Sequence, residues 1–194
     1  MVEVQVDMTG KEVLLDLLQN LAEWIHYVLG GMSRDALQWQ PDEEANSIAV
    51  TVWHISRSLD VLKARLLENQ SSEAELWCQC GWTAQTGYDP SGIGWGGLGT
   101  LGQYTRSEVE AVPALSAEEL LVYFDQTKGA LEESLSKMPD DVLHRPPLGW
   151  PQGASGHRPG TAYECIRNIL MDAREHLGEI KALKAMWERR IRAS

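Results

Sequence analysis

Four stretches of this chain repeat apolar residues at steps of three and four, and none alternates them at steps of two for long enough to build a sheet. In the first, Leu14, Leu17, Leu18, Leu21, Ile25 and Val28 follow a Thr9–Glu12 capping box, and Gly30-Gly31 ends the run. This predicts a helix over 10–29, and Ser33–Leu37 adds one short helical turn. The second spans about Ser47–Glu68 with Asn46 as its N-cap, and Ile48, Ile55, Leu59, Leu62 and Leu66 form its stripe. The third opens on a second capping box, Ser116–Glu119, and carries Leu120, Phe124, Leu131, Leu135 and Met138 up to Pro139. The fourth runs from about Thr161 to Arg190. The only strand-like pattern is the sparse Val2, Val4, Val6, a short extended arm. Four amphipathic helices of about 20 residues predict an all-α four-helix bundle.

At 194 residues the chain fits one domain, with loose ends at about 1–8 and 190–194. Two long connections interrupt the helices. Residues 70–115 hold eight of the 17 glycines, and 139–160 hold Pro139, Pro146, Pro147, Pro151 and Pro159. Connections that long inside a compact domain tend to carry function. Both contain Trp (Trp77, Trp82, Trp95 and Trp150), so they are expected to pack as lids. The glycine run Gly92–Gly99 has no preceding strand and no Gly-Lys-Ser/Thr ending, so it is not a phosphate cradle.

The net charge of −11 repels phosphate backbones and argues against nucleic acid as a partner. No apolar run approaches the roughly 18 residues of a membrane span, and the N-terminus lacks the cationic start and apolar core of a secretory signal. Cys78, Cys80 and Cys165 make no even disulfide framework, so a reduced cytoplasm is the expected setting. Cys78-Gln-Cys80 has the wrong spacing for a Cys-x-x-Cys site, and Cys165 reads as a small core residue.

The informative positions break the apolar stripes. At about 100° per residue, Cys165, Ile169, Asp172, His176, Ile180, Leu183 and Trp187 share a band roughly 60° wide. Asp172 and His176 therefore sit one turn apart on the face that should enter the core. A lone buried carboxylate costs several kcal/mol, so a proton, a cation or a metal ion must answer it. The i, i+4 spacing suits two ligands of one metal, and equally suits an Asp that simply accepts from His. His54 falls at the margin of the second stripe, about 100° from its centre. Such a histidine is more often hydrogen-bonded than metal-bound. Together the three make a candidate N/O site of zinc, nickel or iron type, with positions left for water or substrate. Glu175 or Glu179 can support a ligating imidazole from behind, and His144 or His157 can reach the pocket mouth or close the site as a fourth ligand.

The segment from Leu37 to Asp60 combines a Trp39-Gln40-Pro41 turn, Asn46-Ser47-Ile48 and a helix bearing Trp53-His54, and it resembles the DinB/YfiT-like superfamily. Leu76–Trp82 is similar to the Trp…Gly-Trp loop of one branch, and Asp172–Ile180 to the superfamily's last-helix motif. The resemblance covers about residues 10–187. It implies a four-helix bundle whose divalent metal is held by three side chains, here His54, Asp172 and His176. Asp at 172 resembles the mycothiol-dependent maleylpyruvate isomerase branch. Relatives use low-molecular-weight thiols, so the resemblance implies a thiol-dependent S-transferase or isomerase acting on a small electrophile. A metal-dependent hydrolase and a non-catalytic metal-binding stress protein are the alternatives, and a helical interaction module without metal is a third. The resemblance also makes a homodimer a mild expectation.

Overall fold

The computed structural model describes residues 8–152, 156 and 158–193. No residue among them is in a strand. The arm at Val2, Val4 and Val6 and the histidine at 157 lie outside the described residues.

Helix α1 spans Gly10–Leu29, and its capping box forms as read: Thr9 Oγ1 accepts from the Glu12 amide while the Glu12 carboxylate accepts from the Thr9 amide at 2.7 Å. At the other end, the Gly30 amide donates to His26 O at 3.0 Å. Helix α2 is the short turn Arg34–Gln38. Helix α3 spans Ile48–Val61 and is capped by Ser47, whose Oγ accepts from the Val50 amide at 3.3 Å. Asn46, the expected cap, lines a cleft instead. Beyond Val61 the same rod continues as a π-helical turn over Leu62–Leu67.

The connection that follows is not loose. It contains a 3₁₀ turn over Ser72–Ala74, α4 (Leu76–Gln79), α5 (Trp82–Thr86), a 3₁₀ turn over Trp95–Gly97 and α6 (Arg106–Glu110). Helix α7 spans Ala117–Lys137 with the expected Ser116–Glu119 box, α8 is Asp140–Leu143, and α9 runs from Ala162 to Ala193, three residues past the expected end.

The four long helices close a ring: α1 packs on α7 and α9, and α3 packs on the same two. Leu14, Leu18, Leu21 and Ile25 of α1 are fully buried, as are Phe124, Leu131 and Leu135 of α7. Helix α3 is buried on every side, with 12 of its 14 residues enclosed, because the long connection covers the face that the ring leaves open. Trp77 and Trp82, expected as lids, are that cover. They stack at 5.9 Å, and Trp77 also meets Trp53 and Tyr123 edge to face. Each such indole removes roughly 200 Å² from water, an upper contribution of roughly 5 kcal/mol.

Candidate metal centre

Helix α3 presents His54 toward α9, which presents Asp172 and His176 from successive turns. His54 Nε2 lies 3.4 Å from one Asp172 oxygen, and His176 Nε2 lies 3.7 Å from the other. The two imidazoles are perpendicular, with centroids 4.6 Å apart. One donor atom from each of the three residues falls within 4.8 Å of the others. A tetrahedral site with bonds of about 2.1 Å has edges of about 3.4 Å. The spacing of the trio therefore matches what a zinc-sized ion needs, with some contraction at the wider edge.

The two histidines are supported differently. His176 Nδ1 lies 2.7 Å from the Glu179 carboxylate. A carboxylate only accepts, so the Nδ1 of a neutral His176 carries the proton and its Nε2 keeps a lone pair for a ligand. Of the two supporting acids considered, Glu179 takes that place. His54 Nδ1 is buried and has no partner among the described residues.

Asp172 is less buried than the stripe implied, with a side chain 51% exposed. The buried stripe of α9 is Cys165, Ile166, Leu170, Ala173, Leu177 and Ile180. Its centre lies about 65° around the helix from His176 and about 105° from Asp172. The sequence alignment through Ile169, Leu183 and Trp187 passed over the small and aliphatic residues that α1 and α3 actually cover. Asp172 thus stands at a cleft wall, not in the core. Convergent donors, and not the cost of burying a carboxylate, favour a metal here. Hydrogen bonding from His54 holds the Asp172 carboxyl below its usual range, against a smaller opposing effect of partial burial.

The trio opens into a cleft of about 540 Å³. Trp95 and Trp150 come from the two long connections and meet at 5.2 Å on its wall, as expected of lids. Each is anchored through the backbone. The Trp95 amide donates to Gly102 O at 2.6 Å, and the Gly149 amide, one residue before Trp150, donates to Leu66 O at 3.0 Å. That last bond needs a glycine: a Cβ on Gly149 would sit 1.7 Å from Arg65 O. Cys165 also lines the cleft, but burial pushes its thiol up to about 12, so it stays protonated. His144 is exposed and outside the lining, and the Cys78 Sγ lies 3.7 Å from Thr83 Oγ1.

One feature escaped the sequence reading. Arg57 is fully buried and ties the long connection to α3. Its guanidinium donates to Glu75 at 3.0 Å, to Leu98 O at 3.1 Å, and to Gly99 O and Asp60 at 3.3 Å each. Asp60 in turn accepts from Tyr123 at 2.9 Å and from the Leu76 and Trp77 amides at 2.8 and 2.9 Å. Arg65 adds a second cation to Glu75 at 3.1 Å. Burial works against the Arg57 charge, but Tyr123, Glu75 and Asp60 more than restore it and hold its pKa above the ordinary value. The usable signal is an Arg-x-x-Asp pair that carries the only Asp, Glu, Lys or Arg side chains of its helix. A charge pair on a helix covered on all sides must find partners within the fold.

The sequence profile of the DinB superfamily matches residues 14–193. The chain belongs to the DinB superfamily. A conserved protein of Enterococcus faecalis, known from a crystal structure, shares the fold with a TM-score of 0.72 at 18% identity. The alignment covers 91% of this chain and 96% of that one. No functionally curated protein matches. The DinB superfamily includes metal-binding proteins, and the His54, Asp172 and His176 group has the donors to hold a metal. Among the described residues, no helix is long and apolar enough to cross a membrane.

Proposed function

We propose that this protein is a DinB-type four-helix bundle in which His54, Asp172 and His176 hold a divalent metal, zinc or nickel ahead of iron. We further propose that it uses the metal for thiol-dependent transfer or isomerisation of a small electrophile. The single observation that carries this reading is the meeting of three donors, at near-tetrahedral spacing, on the wall of an open cleft. A dication bound there supplies Lewis acidity that lowers the pKa of a thiol or water toward neutral. The chain does the rest. His54 and His176 offer neutral lone pairs, and Asp172 offers one negative charge from a wall that solvent reaches. Glu179 fixes the His176 tautomer. Trp95 and Trp150 shape the space beside the trio. The trio lines an open cleft of about 540 Å³, which supports a reactive site over a closed structural one.

The test begins with metal. Protein stripped by chelator is titrated with zinc and nickel by calorimetry, and His54→Ala and Asp172→Asn are measured beside it. One equivalent bound by the parent, and a loss of at least about a hundredfold in each variant, is expected. Turnover of thiol and electrophile panels by the loaded protein, absent in His54→Ala, then tests the reaction. Unchanged metal binding in both variants would overturn the proposal.

A further inference from the structure

The described lining of the cleft offers a guest aromatic and aliphatic surface but no Lys or Arg. Trp95, Trp150, Leu98, Leu101 and Ile169 make up its apolar wall. None of the described lining residues is Lys or Arg, and the neutral polar groups include Thr51, Ser58 and Asn168. Four arginines adjoin lining residues in sequence, and each is engaged. Arg57 is spent on Glu75, Asp60 and the Leu98 and Gly99 carbonyls. Arg65 pairs with Glu75 at 3.1 Å, Arg158 donates to Pro147 O at 3.3 Å, and Arg167 donates to Asn168 Oδ1 at 3.0 Å.

Asp172 on the wall and Glu179 behind His176 add two carboxylates to this end of the cleft. A guest that carries its own negative charge therefore gives up hydration and meets no Lys or Arg among the described lining residues, in a chain whose net charge is already −11. The volume of about 540 Å³ suits a molecule of two or three rings.

We infer that the cleft selects an uncharged, flat aromatic molecule as the electrophile, and discriminates against carboxylates, phosphates and sulfonates of the same shape. This rests on the proposal that the cleft is the reacting site. The two-tryptophan wall supplies edge and face contacts to a ring, and its lack of cations supplies the discrimination.

Two fluorescent probes share one ring system and differ by a single charge: neutral N-phenyl-1-naphthylamine and anionic 8-anilino-1-naphthalenesulfonate. Both are titrated into the full chain, zinc-loaded and zinc-free, at moderate salt. The neutral probe is expected to bind at least about tenfold more tightly. Thr100→Trp, which fills the cleft, should abolish its binding; Ile169→Trp serves the same purpose if that variant does not fold. Asn168→Lys, on the lining, should improve the anion's affinity about fivefold. Gln85→Lys, outside the cleft with the same change in net charge, should leave the ratio of the two affinities unaltered. Equal or tighter binding of the anion, identical behaviour of the two lysine variants, or a neutral probe indifferent to both blocking variants would each sink the inference. Zinc titration of the same samples separates the two readings. Lost zinc binding with the neutral preference intact overturns only the metal proposal. Intact zinc binding with an anion preference overturns only this one.

Discussion

Replacing Arg57 with Met removes a fully buried cation and leaves its partners behind. Glu75, fully enclosed, keeps only Arg65, and Asp60 keeps the Tyr123 hydroxyl and two backbone amides. Stripping one member from a buried ion pair costs about 3–5 kcal/mol, because the survivor's charge is stranded. The remaining donors put this case at the low end, about 3 kcal/mol. For a domain of this size that corresponds to a fall of about 6–12 °C in Tm. Urea unfolding followed by far-UV circular dichroism reads the change as a shift in midpoint at constant slope. Adding Glu75→Gln neutralises the stranded carboxyl, so the double variant should recover at least about 1 kcal/mol relative to the sum of the singles. The substitution also releases the Leu98 and Gly99 carbonyls at the cleft wall, so affinity for the neutral aromatic probe should drop while zinc affinity stays near that of the parent. An Arg57→Met loss below about 1 kcal/mol, or strict additivity with Glu75→Gln, would refute the view that this network latches the long connection to α3.

Glu179→Gln keeps a partner for His176 Nδ1 but removes its charge, so metal affinity should fall about tenfold in calorimetry; no change would mean that the contact is incidental. Gly149→Ala would drive a methyl group into Arg65 O, which is backbone and cannot swing aside. The Trp150 connection should detach from Leu66, seen as weaker probe binding with the helical circular dichroism retained. In acid, the capping-box carboxyls Glu12, Glu108 and Glu119 are all held below their usual range by hydrogen bonds from Thr9, Thr105 and Ser116. Groups lowered in the folded state stabilise it above about pH 4.3, and that contribution disappears as pH falls through their folded values. Tm should therefore decline between about pH 5 and pH 3, and Glu12→Gln with Glu119→Gln should flatten the decline; an unchanged slope would contradict the assignment.

The long helices were legible because stripes of five or six apolar residues and two capping boxes mark them. The third box, Thr105–Glu108, has the same pattern and was passed over because no apolar run follows; α6 has five residues and none is buried. The turns and helices packed into 70–115 are three to five residues long, too short for a 3.6-residue period to register. The π turn at Leu62–Leu67 escaped for another reason: Leu59, Leu62 and Leu66 fit an α stripe equally well, and one extra residue per turn leaves no compositional trace. Within the site, the spacing of Asp172 and His176 brought both to one place with His54. The depth of Asp172 was misjudged because the stripe was centred on its large residues, whereas Ala173 and Leu177 mark the covered face.

The candidate metal centre and its walls share one rigid support. Helix α3 turns His54 toward the cleft, and Arg57, three residues on, grips Leu98 and Gly99 of the connection that carries Trp95. A Cβ on Gly99, which has φ +67°, would sit 2.4 Å from Pro90 O, so the gripped segment needs a glycine there. Beyond Val61 the π turn presents the Leu66 carbonyl to Gly149, which sets Trp150. The ligand, the Trp95 connection and the Trp150 connection are thus referenced to one helix that the core encloses on all sides. A cleft built this way holds its shape without a guest. Its selectivity follows from the fixed wall chemistry, so a change of charge at the lining alters which molecules bind before it alters whether the chain folds.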